Sequence, residues 1–204
     1  RFTCIDGRSI MLHCPAEAYA FVYSDEINME SVGVYLKEVL ATHLPENVEN
    51  ITLHLREEVI NSPYYHYTHG LKKHDGNCQR IAHGHRSRID IILDGKVCVE
   101  SQQYWADRWA DIYIATREDE IAYSDRKLKG EVANETDYYC FAYESSQGYF
   151  ELLIPKSDCE VIETDSTVEC LAQYLLEEQK KRTPDGVCQV IAYEGVGKGA
   201  TVKG

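Results

Sequence analysis

The chain has 204 residues, 44% of them hydrophobic and 27% charged, with a net charge of −13 at pH 7; it is long enough to bury a core and ordinary in composition for a globular protein. The charge excludes general binding to nucleic acid or anionic membranes, which need a surface that neutralises phosphate. No apolar run approaches 18 residues, which argues against a membrane-spanning helix.

The first residues, RFTCIDGRSIMLHCP, lack a signal-peptide layout because Asp6 and Arg8 interrupt them. Strands are predicted at 1–5 and 9–13. A helix follows over 28–43, with Met29, Val32, Leu36, Val39 and Leu40 on one apolar stripe. A strand at 51–55 closes this part. Residues 88–93 alternate as a strand, Asp94-Gly95 signals a hairpin turn, and 96–100 returns. Further strands are expected at 109–116, 138–143 and 149–154. A second helix over 166–181 carries Val168, Leu171, Leu175 and Leu176 inward. Ser166 and Glu169 fit a capping box at its start. A last strand covers 187–193. The expected class is α+β, an antiparallel sheet covered by helices.

The chain also repeats itself. Pro15 matches Pro155 at an offset of 140, and Glu30 matches Glu169 at 139, as Tyr35-Leu36 matches Tyr174-Leu175. After a two-residue gap, Glu57 falls against Glu194. This pattern suggests an internal duplication.

The eight cysteines are scattered without a C-x-x-C pair, which disfavours a zinc ribbon. They read as reduced, small, mostly buried hydrophobes of a cytoplasmic protein. Five of the eight histidines fall between residues 64 and 95. His83 and His85 are two apart, so a strand presents both on one face. A third imidazole from a neighbouring strand, drawn from YHYTHGL, would complete a three-histidine site with an open fourth position. Such a set suits a transition metal over magnesium or calcium. The bland alternative is a pair of histidines satisfied by hydrogen bonds. From 70 to 89 there are five basic residues (Lys72, Lys73, Arg80, Arg86, Arg88) against one acid, Asp75. That is a local basic patch on an acidic chain, readable either as a solvated loop or as an anion site.

The segment Cys78-Gln-Arg-Ile-Ala-His83-Gly84-His85, preceded by Tyr65-His-Tyr-Thr-His69-Gly-Leu71, resembles the 6-pyruvoyltetrahydropterin synthase and 6-carboxytetrahydropterin synthase family. That family has an aromatic-x-small-x-His-x-Leu strand, a cysteine, then His-Gly-His on the next strand. Ser166-Thr-Val-Glu169-Cys-Leu-Ala resembles its Pro-Thr-x-Glu-Asn-Leu-Ala helix start, and Val190-Ile-Ala-Tyr-Glu194 its late strand. The resemblance implies a tunnelling fold: a four-stranded antiparallel sheet with two helices on one face, assembling as a homo-oligomer. Residues 1–58 would be the back half of a first unit and 59–204 a complete second one. It implies zinc (Zn2+) on His69, His83 and His85. It implies lyase action on 7,8-dihydroneopterin triphosphate, with Cys78 moving protons and Glu194, or Glu57 in the other copy, anchoring the pterin ring. Lys73 and Arg80 in the basic cluster would face the triphosphate. Two departures stand out. Cys78 is one residue further from His-Gly-His than the family spacing. The family's adjacent Asp-His relay is absent, with Asp125 before Arg126 the nearest by position, and arginine does not titrate near neutral pH. The alternative is a catalytically impaired zinc-binding relative that serves as a pterin-binding or structural module.

Overall fold

The computed structural model describes residues 1–204. The chain divides into two compact units, one of residues 1–18 with 60–204 and one of residues 19–59. The first two strands of the chain pair within the larger unit.

The smaller unit holds helix α1 (Met29–Ala41). Asn28 caps it, accepting from the Glu30 and Ser31 N–H groups at 3.0 Å, while Ser31 Oγ takes the Asn28 N–H. The strand expected at 51–55 is absent. A strand requires a partner to take its backbone groups, and no other strand lies in this unit. Instead, Leu55 lies against Gly33 of the helix.

In the larger unit, β1 (Phe2–Thr3) and β2 (Ser9–His13) open the chain. Then come β3 (Tyr64–His69), β4 (His83–Leu93), β5 (Lys96–Val97), α2 (Val99–Arg108), β6 (Ile112–Thr116) and β7 (Glu120–Ile121). They are followed by β8 (Tyr138–Ser145), β9 (Gly148–Pro155), β10 (Cys159–Ile162), α3 (Val168–Arg182), β11 (Cys188–Tyr193) and β12 (Gly199–Lys203). The class is α+β. Strands β3, β4, β11 and β12 form an antiparallel four-stranded run. β6 extends it parallel to β3, and β10 parallel to β6. A second sheet has the order β1-β2-β9-β8-β7. In it Leu12 stands opposite Leu152, the residue that the 140-residue offset equates with it.

One face of the larger sheet carries α2 and α3. Tyr65, Tyr67, Ile89, Ile91 and Val190 meet Trp105, Trp109, Leu171 and Leu175 there, all with almost no exposure. In β3 the pattern is strict: Tyr65, Tyr67 and His69 point in, and Tyr64, His66 and Thr68 point the other way. Helix α2 is not legible in the sequence, which reads as a returning strand over 96–100. Its buried stripe is Ser101, Gln102, Trp105 and Ala106, half of it polar. Those polar groups are matched: Gln102 Nε2 donates to Ile89 O at 2.8 Å, Trp105 Nε1 to Gln179 Oε1 at 2.9 Å, and Gln179 Nε2 to Ser101 Oγ at 3.1 Å. The exposed edge strand β12 escapes the pattern for a similar reason, since its short Gly-Ala-Thr-Val-Lys run is half-buried at most. No helix is long and apolar enough to cross a membrane, and all eight cysteines are free thiols.

Candidate metal and ligand site

β3 ends on His69 and β4 begins on His83, directly opposite in the antiparallel register. His85, two residues on, lies on the same face and opposite Tyr67. The His69 and His83 ring centroids are 4.3 Å apart, His69 and His85 5.1 Å, His83 and His85 5.3 Å. One ligand nitrogen from each lies within 4.8 Å of the others. Nitrogens sharing a tetrahedral ion at about 2.05 Å stand roughly 3.3 Å apart, so small ring rotations bring the three onto one centre.

The hydrogen bonds leave the correct nitrogens free. His83 Nδ1 lies 3.0 Å from Arg80 O. A carbonyl only accepts, so Nδ1 carries the proton and Nε2 keeps its lone pair. His69 Nδ1 is engaged by Ser166 Oγ at 2.8 Å. Nε2 of both residues is buried without a partner, an arrangement that costs free energy unless something binds there. Burial, then the neighbouring rings of His83 and His85, hold His69 down to about 2; burial likewise lowers His83 and His85. All three imidazoles are neutral near pH 7, the form that binds metal. The donor set fits a transition metal such as zinc.

The sequence pattern expects Ser166 to cap α3. Thr167 does so instead, its hydroxyl accepting from Cys170 N at 3.4 Å. The fully buried Ser166 turns inward to His69. Nothing in the sequence signals this, because Ser-Thr-x-Glu reads as a helix start whichever hydroxyl caps. Ser166→Ala is expected to weaken zinc affinity 10–100-fold by freeing the His69 ring. The helix stays capped. Competition against a chromophoric chelator measures the change, and unaltered affinity would contradict the assigned role.

Glu194 follows β11, in a turn fastened from two sides. The Tyr65 hydroxyl donates to Tyr193 O and accepts from Tyr193 N at 2.9 Å, and Gly195 N donates to Ser87 Oγ. The carboxylate is mostly buried and ion-paired with Lys198. Its charge reaches His83, His85 and Tyr67. The Lys198 ammonium is held above the ordinary lysine range, foremost by its hydrogen bond to Glu194, and it feels Cys78 and Glu169 as well. Cys78 lies half-buried on the short helical turn Gly76–Gln79. Nothing in the sequence singles out Lys198 as the partner of Glu194. Tyr67 stands where the family pattern has a small residue, and its buried hydroxyl has no partner.

The other expected residues lie elsewhere or are engaged. Lys73 pairs with Glu118 at 3.2 Å and Asp165 at 3.3 Å, and Lys72 with the buried Asp119. Arg80 donates to Glu17 O at 2.9 Å. Asp125 is exposed and takes a hydrogen bond from Ser124. It belongs to a strap over the second sheet, where the buried Glu151 accepts from Lys127 N at 3.0 Å and Leu128 N at 3.1 Å. None of these contacts involves the histidines. Glu57 is exposed in the 19–59 unit. His66 faces away from the triad and meets Asp111 at 3.1 Å.

Comparison with known proteins returned a family model and solved structures. The model for 6-pyruvoyl tetrahydropterin synthase matches residues 58–204. A catalytic-residue mutant of Plasmodium vivax 6-pyruvoyltetrahydropterin synthase aligns at 20% identity with a TM-score of 0.47, over 71% of this chain and 94% of that one. The Plasmodium falciparum enzyme aligns at 17% identity with a TM-score of 0.45, over 71% and 94%. A comparison with curated proteins returned no match.

Proposed function

The chain belongs to the 6-pyruvoyl tetrahydropterin synthase family, and on that premise we propose that it is a zinc-dependent lyase acting on 7,8-dihydroneopterin triphosphate. The observation that carries this reading is the cluster of His69, His83 and His85 with two buried, unpartnered Nε2 atoms. These three residues would hold the ion. When bound, zinc supplies Lewis acidity toward hydroxyl and carbonyl oxygens of the substrate side chain.

The protein's own groups divide the remaining work. Glu194 accepts two parallel N–H bonds from the amino-pyrimidine edge of the pterin, a geometry a carboxylate matches with both oxygens. To do so it exchanges Lys198 for the ligand. Cys78, as thiolate, takes a proton from the side chain as triphosphate departs. Ser166 keeps the His69 ring in place. Whether the product is of the 6-pyruvoyl or the 6-carboxy type turns on groups that line the side-chain end of the pocket, Tyr67 among them. Assembly with further copies through the β12 sheet edge belongs to the same reading.

The place of Asp125, exposed and engaged outside the site, favours a second reading: a pterin-binding relative without the full reaction. The experiment is to incubate zinc-loaded protein with 7,8-dihydroneopterin triphosphate and follow inorganic triphosphate. Release supports the lyase. Tight pterin binding without release supports the second reading. Glu194→Gln is expected to raise KM roughly 10–100-fold, since a charge-assisted pair is worth about 1.5–3 kcal/mol. An unchanged KM would remove Glu194 as the anchor.

A further inference from the structure

The loop between the ligand histidines, residues 70–82, is held by a hairpin distant in sequence. Gln79 is its buried polar residue, 3% exposed. Its amide reaches in two directions. Nε2 donates to His74 O within the loop. Oε1 accepts from Ser146 Oγ at 3.0 Å and Gln147 N at 3.2 Å, both in the turn between β8 and β9. The backbone is fastened by the same hairpin. The Tyr143 hydroxyl donates to Gln79 O at 2.7 Å, and Gln147 Nε2 donates to Gly76 O at 2.7 Å. Inside the loop, Leu71 N donates to Cys78 O at 2.8 Å. Cys78 thus sits between two tethered positions, Gly76 and Gln79, on one short helical turn.

We propose that the β8–β9 turn is a clamp for the 70–82 loop, and that Gln79 is the positioning residue that presents Cys78 to the ligand site. The inference rests on the proposed role of Cys78. It explains why an extended hairpin is packed against a loop that could otherwise be solvated: fixing this turn places a proton-transfer group to within the tolerance that such chemistry demands. Gln79 does not touch substrate. It acts through the turn that carries the thiol, and the hairpin adds one buried bond, from Tyr143, and two part-buried ones, from Ser146 and Gln147, to the loop backbone.

The test uses three full-length variants. Gln79→Leu removes both directions of the amide. Gln79→Glu keeps the acceptor for Ser146 and Gln147. Gln147→Ala removes only the exposed link to Gly76 and leaves the buried contacts. Each is zinc-loaded and assayed for metal content, for kcat and KM of triphosphate release, and for the rate of Cys78 alkylation by a maleimide, read on its own peptide by mass spectrometry. Gln79→Leu is expected to keep one zinc per chain, to lose at least tenfold in kcat with KM within threefold, and to gain at least fivefold in Cys78 alkylation. Gln79→Glu, which keeps the acceptor but loses the bond to His74 O, reverses part of both changes, and Gln147→Ala departs from wild type in the same direction as Gln79→Leu, by two- to threefold. Wild-type kinetics and wild-type alkylation in both Gln79→Leu and Gln147→Ala would overturn the clamp. Should Gln79→Leu fail to fold, the alkylation rate of Gln147→Ala decides alone. Should the wild-type protein release no triphosphate, the lyase reading fails, and alkylation still reports on the clamp.

Discussion

Replacing His83 with alanine is expected to lower zinc affinity a hundred- to thousandfold and to abolish triphosphate release. Structural zinc binding is worth about 10–16 kcal/mol shared among its ligands, or roughly 3–4 kcal/mol for each, and that converts to two to three decades. The His83 side chain is only half-buried at the start of β4, so the strand persists without it. Its loss leaves His69 and His85 as a two-nitrogen site. Chelator competition reads the affinity, and circular dichroism verifies the fold. Zinc affinity within threefold of wild type in a folded variant would refute the shared site.

Gly70→Ala is the second large effect, and it concerns stability. A Cβ at residue 70 would overlap the Tyr143 hydroxyl oxygen and come 2.7 Å from Ile81 Cα. The hydroxyl is buried and bound to Gln79 O, and the Cα is backbone, so neither yields cheaply. Overpacking of this kind costs about 3 kcal/mol. Adding Tyr143→Phe is expected to recover only part of this, because the Ile81 contact remains and Tyr143 Cζ would still lie 3.1 Å away. Urea unfolding of the two variants measures both numbers. A stability within about 0.5 kcal/mol of wild type, the range usual for neutral surface changes, would contradict the packing described.

Much of the site was legible because its residues are local. His-x-His on one strand face follows from the two-residue period, while His69 as the third histidine follows from the family resemblance; β11 lies close to its expected place, and β4 contains the expected 88–93 strand but begins at His83. The helix stripe of α3 follows from Val168, Leu171, Leu175 and Leu176. What escaped depends on contacts across the chain. Ser166 reaches His69 over 97 positions, and Ser146 reaches Gln79 over 67; no local pattern encodes either. Helix α2 escaped because its inner face is half polar and satisfied by Ile89 O and Gln179. The strand at 51–55 was inferred from its likeness to the β11 segment, yet β11 is a strand because β4 and β12 flank it. The partners of the basic loop escaped because sequence counts charges only along the chain. The carboxylates that engage Lys72 and Lys73 come from residues 118, 119 and 165.

The central claim is that three imidazole nitrogens share one ion. Zinc K-edge absorption on protein loaded with one equivalent tests it most directly. The account predicts three imidazole nitrogens at about 2.0–2.1 Å with one further light-atom ligand. A sulfur scatterer at about 2.3 Å, or failure to retain zinc after gel filtration, would contradict it.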